Sequence, residues 1–142
     1  MNEKERSIVS LPKIFDPRGN LTVAEGMTNV PYDVKRVYWV YDVPAGESRG
    51  GHAHKECREL IIAVSGSFSV TIDNGREKET FHLNHPWQGL LVETRVWRTL
   101  DDFSSGAVCL VLASHPFDES DYIRDYSEYL DYMNANPNSA GL

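Results

Sequence analysis

Gly46-Glu47-Ser48-Arg49-Gly50-Gly51-His52-Ala53-His54-Lys55-Glu56-Cys57-Arg58-Glu59-Leu60-Ile61-Ile62-Ala63-Val64-Ser65-Gly66 is the most informative segment of the chain. On a β-strand, residues two apart project from one face, so His52 and His54 share a side. Glu59 opens an apolar run that can return opposite them, and Gly66 permits the tight turn that ends it. Three ionisable groups then converge on one interior. Two imidazoles buried beside Arg49, Lys55 and Glu59 need hydrogen-bond partners to avoid a burial penalty, which makes a merely structural role expensive.

Read as a pattern, the segment is Gly, five residues, His-x-His, four residues, Glu, six residues, Gly, and it resembles the first cupin motif. The surrounding chain has the matching rhythm. Short apolar or alternating runs at 8–15, 21–25, 34–41, 59–64, 67–73, 79–83, 89–93 and 107–113 are separated by turn residues, as in an antiparallel sandwich or barrel. Asp73-Asn74-Gly75 is the clearest hairpin signal. From Asp121 to Met133 the period changes: Tyr122, Tyr126, Tyr129, Leu130 and Met133 recur at spacings of three and four, which predicts an amphipathic helix packed on the barrel or on a partner subunit. The expected fold is all-β, a cupin jelly-roll β-barrel with a C-terminal α-helix. A single domain is expected to fill 1–142, structured over about 8–133, with 134–142 a flexible tail.

Composition narrows the function. Hydrophobic residues make up 41% of the 142 and charged residues 25%, an ordinary globular balance. A net charge of -7 argues against nucleic acid as a partner, because that binding rests on clustered cations. The segment 1–7 has no apolar core of a signal peptide, and no run is long enough to span a bilayer, so no membrane association is expected. Cys57 and Cys109 sit in apolar runs with neither metal-knuckle nor disulfide spacing, in keeping with reduced thiols and a cytoplasmic location.

The histidine pair can serve a metal or acid–base chemistry. Cupin metal sites normally add a histidine from a second motif late in the barrel. Here Pro86-Trp87-Gln88-Gly89 occupies that region, and Val96-Trp97 is followed by Arg98 where the histidine belongs. A guanidinium stays protonated and cannot ligate a cation. His82 and His85 flank a turn and His115 precedes Pro116, so none repairs the gap. No metal and no other cofactor are expected, although a His2Glu site is chemically possible.

Lys35-Arg36-Val37-Tyr38, Arg49-Gly50-Gly51-His52-Ala53-His54-Lys55, Gly66-Ser67, Val96-Trp97, Asp102-Phe103-Ser104-Ser105 and Tyr122-Ile123-Arg124 resemble the sugar nucleotide 3,4-ketoisomerases, also called WxcM-like, over about 14–133. That resemblance implies a metal-free isomerase that moves the keto group of dTDP-4-keto-6-deoxyglucose from C4 to C3, on the way to 3-amino-3,6-dideoxyhexoses of surface glycans. It implies a homodimer with exchanged N-terminal strands. It implies His52, His54 and Tyr38 as catalytic residues, with His54 the principal base, and Arg36 and Arg49 as diphosphate anchors. Lys55, Glu59, Trp97, Arg98 and Arg18 are expected to join the substrate site. Family members often carry Gln at the position of Glu59, and the pairing of Arg18 with Arg98 leaves the product's C4 configuration open. The rivals are a keto-sugar 3,5-epimerase, a metal-dependent cupin oxygenase and a non-catalytic sugar-binding cupin.

Overall fold

The computed structural model describes residues 7–137. Ten antiparallel strands build two facing five-stranded sheets. One is ordered β1 (Ile8–Ser10), β9 (Gln88–Val92), β6 (Glu59–Ser65), β11 (Val108–Ala113), β4 (Arg36–Val40). The other is ordered β12 (Tyr122–Ile123), β5 (Arg49–His54), β10 (Trp97–Asp101), β7 (Phe68–Asp73), β8 (Lys78–Leu83). A separate hairpin joins β2 (Lys13–Ile14) to β3 (Leu21–Thr22), and a helix, α1 (Tyr126–Ala135), closes the described chain. This is the cupin jelly roll with a C-terminal helix.

Alternation places the core. Phe68, Val70 and Ile72 of β7, Phe81 and Leu83 of β8, and Ile61 and Ala63 of β6 meet between the sheets. The apolar run of β6 is continuous because both its faces are covered: Leu60 and Ile62 pack outward under Leu11, Val30 and Tyr32. Two turns depend on backbone freedom. Gly66 has φ +65°, and a Cβ there would lie 2.9 Å from the Ala107 Cα. At the β7–β8 hairpin Gly75 has φ +91°, and Asn74 Oδ1 accepts from the backbone N–H of Arg76 and Glu77.

The structure departs from the sequence reading at three places. The run 8–15 is two strands, not one, because Pro12 has no N–H to give a ladder; β1 pairs with β9 and β2 with β3. β10 was not expected as a strand, since Arg98 interrupts its apolar pattern, yet Arg98 is buried and paired. The helix begins five residues later than its periodicity predicts. Asp121 does not cap it: its carboxylate is held by β5 and the loop after β5, and Asp125 caps instead, accepting from Glu128 N–H at 3.0 Å. Tyr122 therefore lies on β12, away from the helical stripe, while Tyr129 is fully buried with Ala53, Trp97 and Ile123 beneath the helix. Of the expected tail, Asn134 and Ala135 are helical and 138–142 lie outside the described residues.

Candidate active site

Strand β5 carries both histidines between β10 and β12. Arg98 of β10 pairs in register with His52, and Tyr122 of β12 with His54. The His52 and His54 rings meet edge to face with centroids 4.8 Å apart. The Tyr122 ring covers both, at 5.0 and 4.3 Å. Near the start of β5 the ladder with β10 shifts at Gly50, whose φ of +73° strains any side chain placed there, and a Cβ would also press on Leu100 Cδ1.

Glu59 is the hub beneath them. Its Oε1 accepts from Arg98 Nη1 at 2.5 Å, its Oε2 accepts from the Tyr38 hydroxyl at 2.7 Å, and His54 Nε2 is 3.6 Å from Oε1. His54 Nδ1 lies 2.9 Å from Asp121 Oδ2. Burial opposes ionisation of Glu59, but His54, Arg98 and Tyr38 outweigh it and hold the carboxyl at about 2. Burial and the Glu59 charge push the Tyr38 hydroxyl far above its ordinary range, so it stays protonated with its hydrogen committed to Glu59. Burial, then the Arg98 charge, lowers the His52 imidazole to about 3. His52 is therefore a neutral ring with a free lone pair at neutral pH. Among the described residues its Nε2 has no hydrogen-bond partner, and neither has Nε of Arg98.

Above this network opens a cavity of about 770 Å³. Its walls include Arg36 and Tyr38 of β4, Arg49 and His52 of β5, and Phe117, Tyr122 and Arg124 of the C-terminal segment. A smaller space of about 80 Å³ lies at its base, bounded by Tyr38, His52, Glu59 and Arg98. Three guanidinium groups thus surround a mouth that leads to a neutral imidazole. That geometry suits an anion at the rim and proton transfer at the base.

A family profile described as "FdtA: WxcM-like, C-terminal" matches residues 4–134. The chain belongs to the WxcM-like family of sugar nucleotide 3,4-ketoisomerases. It is 40% identical over 129 residues to a TDP-4-oxo-6-deoxy-alpha-D-glucose-3,4-oxoisomerase of Aneurinibacillus thermoaerophilus, covering 91% of this chain and 93% of that one. It is also similar to the crystal structure of a 3,4-ketoisomerase from Helicobacter canadensis, with 38% identity, a TM-score of 0.87, and 89% and 96% of the two chains covered. A mutant of the 3,4-ketoisomerase QdtA from Thermoanaerobacterium thermosaccharolyticum, in complex with TDP-4-keto-6-deoxyglucose, matches at 38% identity and a TM-score of 0.88, covering 90% and 93%.

For a member of this family, the structure sorts the expected residues. It brings together His52, His54, Tyr38, Glu59, Arg98, Arg36 and Arg49. It separates the other three. Trp97 faces away from the cavity, edge-on to Tyr126 beneath the helix, because its neighbour Arg98 takes the inward position on β10. Lys55 lies past the end of β5, its Nζ 5.7 Å from the Tyr132 ring. Arg18 sits in the β2–β3 loop, 90% exposed and paired with Asp16. The structure sets the two histidines apart: the His54 side chain has no exposed surface and borders neither cavity, whereas His52 borders both. Sequence reading missed Arg124, Phe117, Tyr122 and Asp121. Tyr122 and Arg124 lie within 121–133, whose helical period masks them, Asp121 opens that segment, and Phe117 precedes it in a loop where no local pattern marks it.

The donor set does not fit the cation of metal-dependent cupins. His52, His54 and Glu59 offer atoms within 4.8 Å of one another, but the Arg98 guanidinium already occupies the carboxylate from inside the barrel. A divalent ion would share Glu59 with a fixed positive charge.

Proposed function

We propose that this chain converts dTDP-4-keto-6-deoxyglucose to its 3-keto isomer by acid–base catalysis through an enediolate, with His52 as the base that touches the sugar. The observation that carries this is a neutral imidazole at the base of a cavity whose rim holds Arg36, Arg49 and Arg124. The family membership supports the reaction class.

The diphosphate pairs with the rim guanidinium groups, whose binding energy positions a sugar ring that they do not touch chemically. His52 Nε2 takes the proton from C3. The C3–H pair becomes the C3–C4 double bond and the C4 carbonyl pair moves onto O4. The oxygen charge develops beside buried Arg98, whose unpaired Nε–H is a donor that needs no reorganisation. The O3 hydroxyl then loses its proton as its carbonyl forms, O4 is protonated, and C4 takes a proton from the imidazolium. Hydrogens and electrons balance with no redox partner. Tyr38, its own hydrogen on Glu59, presents an acceptor oxygen to a sugar hydroxyl.

The product feeds an aminotransferase in formation of 3-amino-3,6-dideoxyhexoses for O-antigen or S-layer glycans, in the cytoplasm where nucleotide sugars are made. The active form is a homodimer with exchanged N-terminal strands. Supporting this, β4 ends its sheet with an open edge and exposed Val37, Trp39 and Tyr41, and the β2–β3 hairpin exposes Ile14, Phe15 and Leu21. Arg18 reaches a cavity only from the hairpin of such a second copy.

The test is the NMR spectrum of product formed from dTDP-4-keto-6-deoxyglucose and trapped by an aminotransferase. A C3-amino sugar, formed equally after exhaustive chelation, is expected. Epimerised C4-keto sugar, or turnover that disappears with chelation and returns with metal, would reject the reading.

A further inference from the structure

We propose that Asp121 is a positioning residue that acts through His54, fixing which nitrogen of that imidazole faces the catalytic network. The inference rests on the isomerase reading of the site. Asp121 Oδ2 is 2.9 Å from His54 Nδ1, and the carboxylate is itself clamped by main-chain donors: Glu56 N–H at 2.6 Å to Oδ1 and Cys57 N–H at 3.3 Å to Oδ2. Its own carbonyl accepts from Lys55 N–H at 3.0 Å. Every neighbour of the carboxylate is a donor, so it meets His54 as an acceptor and Nδ1 carries hydrogen.

The consequence lies at the other end of the ring. With Nδ1–H directed to Asp121, Nε2 is left toward Glu59 Oε1 at 3.6 Å, and through Glu59 toward Tyr38 and Arg98. His54 has no exposed surface and cannot reach substrate, so its function passes through these neighbours. The carboxylate also anchors the residue before Tyr122, the ring that covers both histidines. One side chain sets the inner imidazole and the outer wall together.

Asp121→Asn tests the assignment. An amide oriented to accept from Glu56 N–H must place its NH2 where Oδ2 stood, facing Nδ1 as a donor. The ring then accepts at Nδ1, and the hydrogen it keeps is on Nε2, toward Glu59. Long-range proton–nitrogen NMR of the whole 15N-labelled chain, with His54 assigned by difference from His54→Asn, reads this directly. The wild type is expected to show a hydrogen on Nδ1 and the variant an Nδ1 without one. Turnover of dTDP-4-keto-6-deoxyglucose is expected to fall about ten- to hundredfold in kcat with KM changed less than about twofold, the scale typical of an outer-shell partner. Wild-type His54 with a bare Nδ1 overturns the proposal even if the variant fails to fold, as does a variant with wild-type kcat or one impaired with its tautomer unchanged. If the wild type leaves the substrate untouched, the isomerase reading fails, and the tautomer measurement still decides the Asp121 contact.

Discussion

His52 and His54 are two residues apart and chemically identical, yet burial gives them different work. His52 borders the cavity as a neutral ring; His54 is sealed behind it between Asp121 and Glu59. His52→Asn is expected to lower kcat by about 100- to 10,000-fold with dTDP affinity retained, since Asn keeps hydrogen-bonding capacity but cannot take up a proton. His54→Asn is expected to cost less, about ten- to hundredfold. Steady-state kinetics on both, with dTDP binding by calorimetry, checks the order; a larger loss at His54 would return the base to the inner ring. The same burial has a signature in stability. An imidazole at about 3 in the fold and near 6.5 when unfolded binds its proton only in the unfolded chain between those values. Its stabilising contribution is full above pH 6.5 and is lost as pH falls, at about 1.4 kcal/mol per pH unit. Glu59, depressed from 4.5 to about 2, adds a loss of the same sign below pH 4.5. Urea unfolding between pH 6 and 5 is expected to show this slope reduced in His52→Asn. Of the residues that make the site, the His-x-His pair and Glu59 were legible because strand period and spacing alone converge them. Arg98 was legible as a missing ligand, though not as the ion-pair partner of Glu59, which is a contact across 39 positions that no local pattern encodes.

Elements were legible where one face is wet. β7, with Ser69 and Thr71 between Phe68, Val70 and Ile72, announces its period; β10 does not, because its inward residue is a charge whose partner lies on another strand. The C-terminal helix was legible in existence and not in its start. Its attachment is specific: the Tyr129 hydroxyl lies 3.1 Å from the Asp73 carbonyl and 2.8 Å from that of Arg95, joining α1 to the end of β7 and to the loop before β10. Tyr129→Phe keeps the packing and removes the single hydroxyl hydrogen that the two carbonyls share. It is expected to destabilise the fold by about 1–2 kcal/mol with no change in kcat, measured by denaturant midpoint and turnover together. A normal midpoint with impaired turnover would mean that the helix acts on the cavity instead.

At the scale of the molecule, the N-terminal hairpin has little of its own to rest on. Phe15 is 76% exposed and Trp39, on the open edge of β4, 57%. Sedimentation velocity at micromolar concentration is expected to show a dimer, and Trp39→Glu to shift it toward monomer. A wild-type monomer would remove the exchanged-strand arrangement. The closure of the site by β12 bears on how the site is assembled. A chain in which residues 121–124 are undocked from β5 keeps the other strands of both sheets. Its inner histidine then faces no carboxylate, its outer one has no aromatic cover, and the rim is short of a cation. Docking of this short segment thus completes the site: the barrel can stand without it, and the walls that seal both histidines exist only with it.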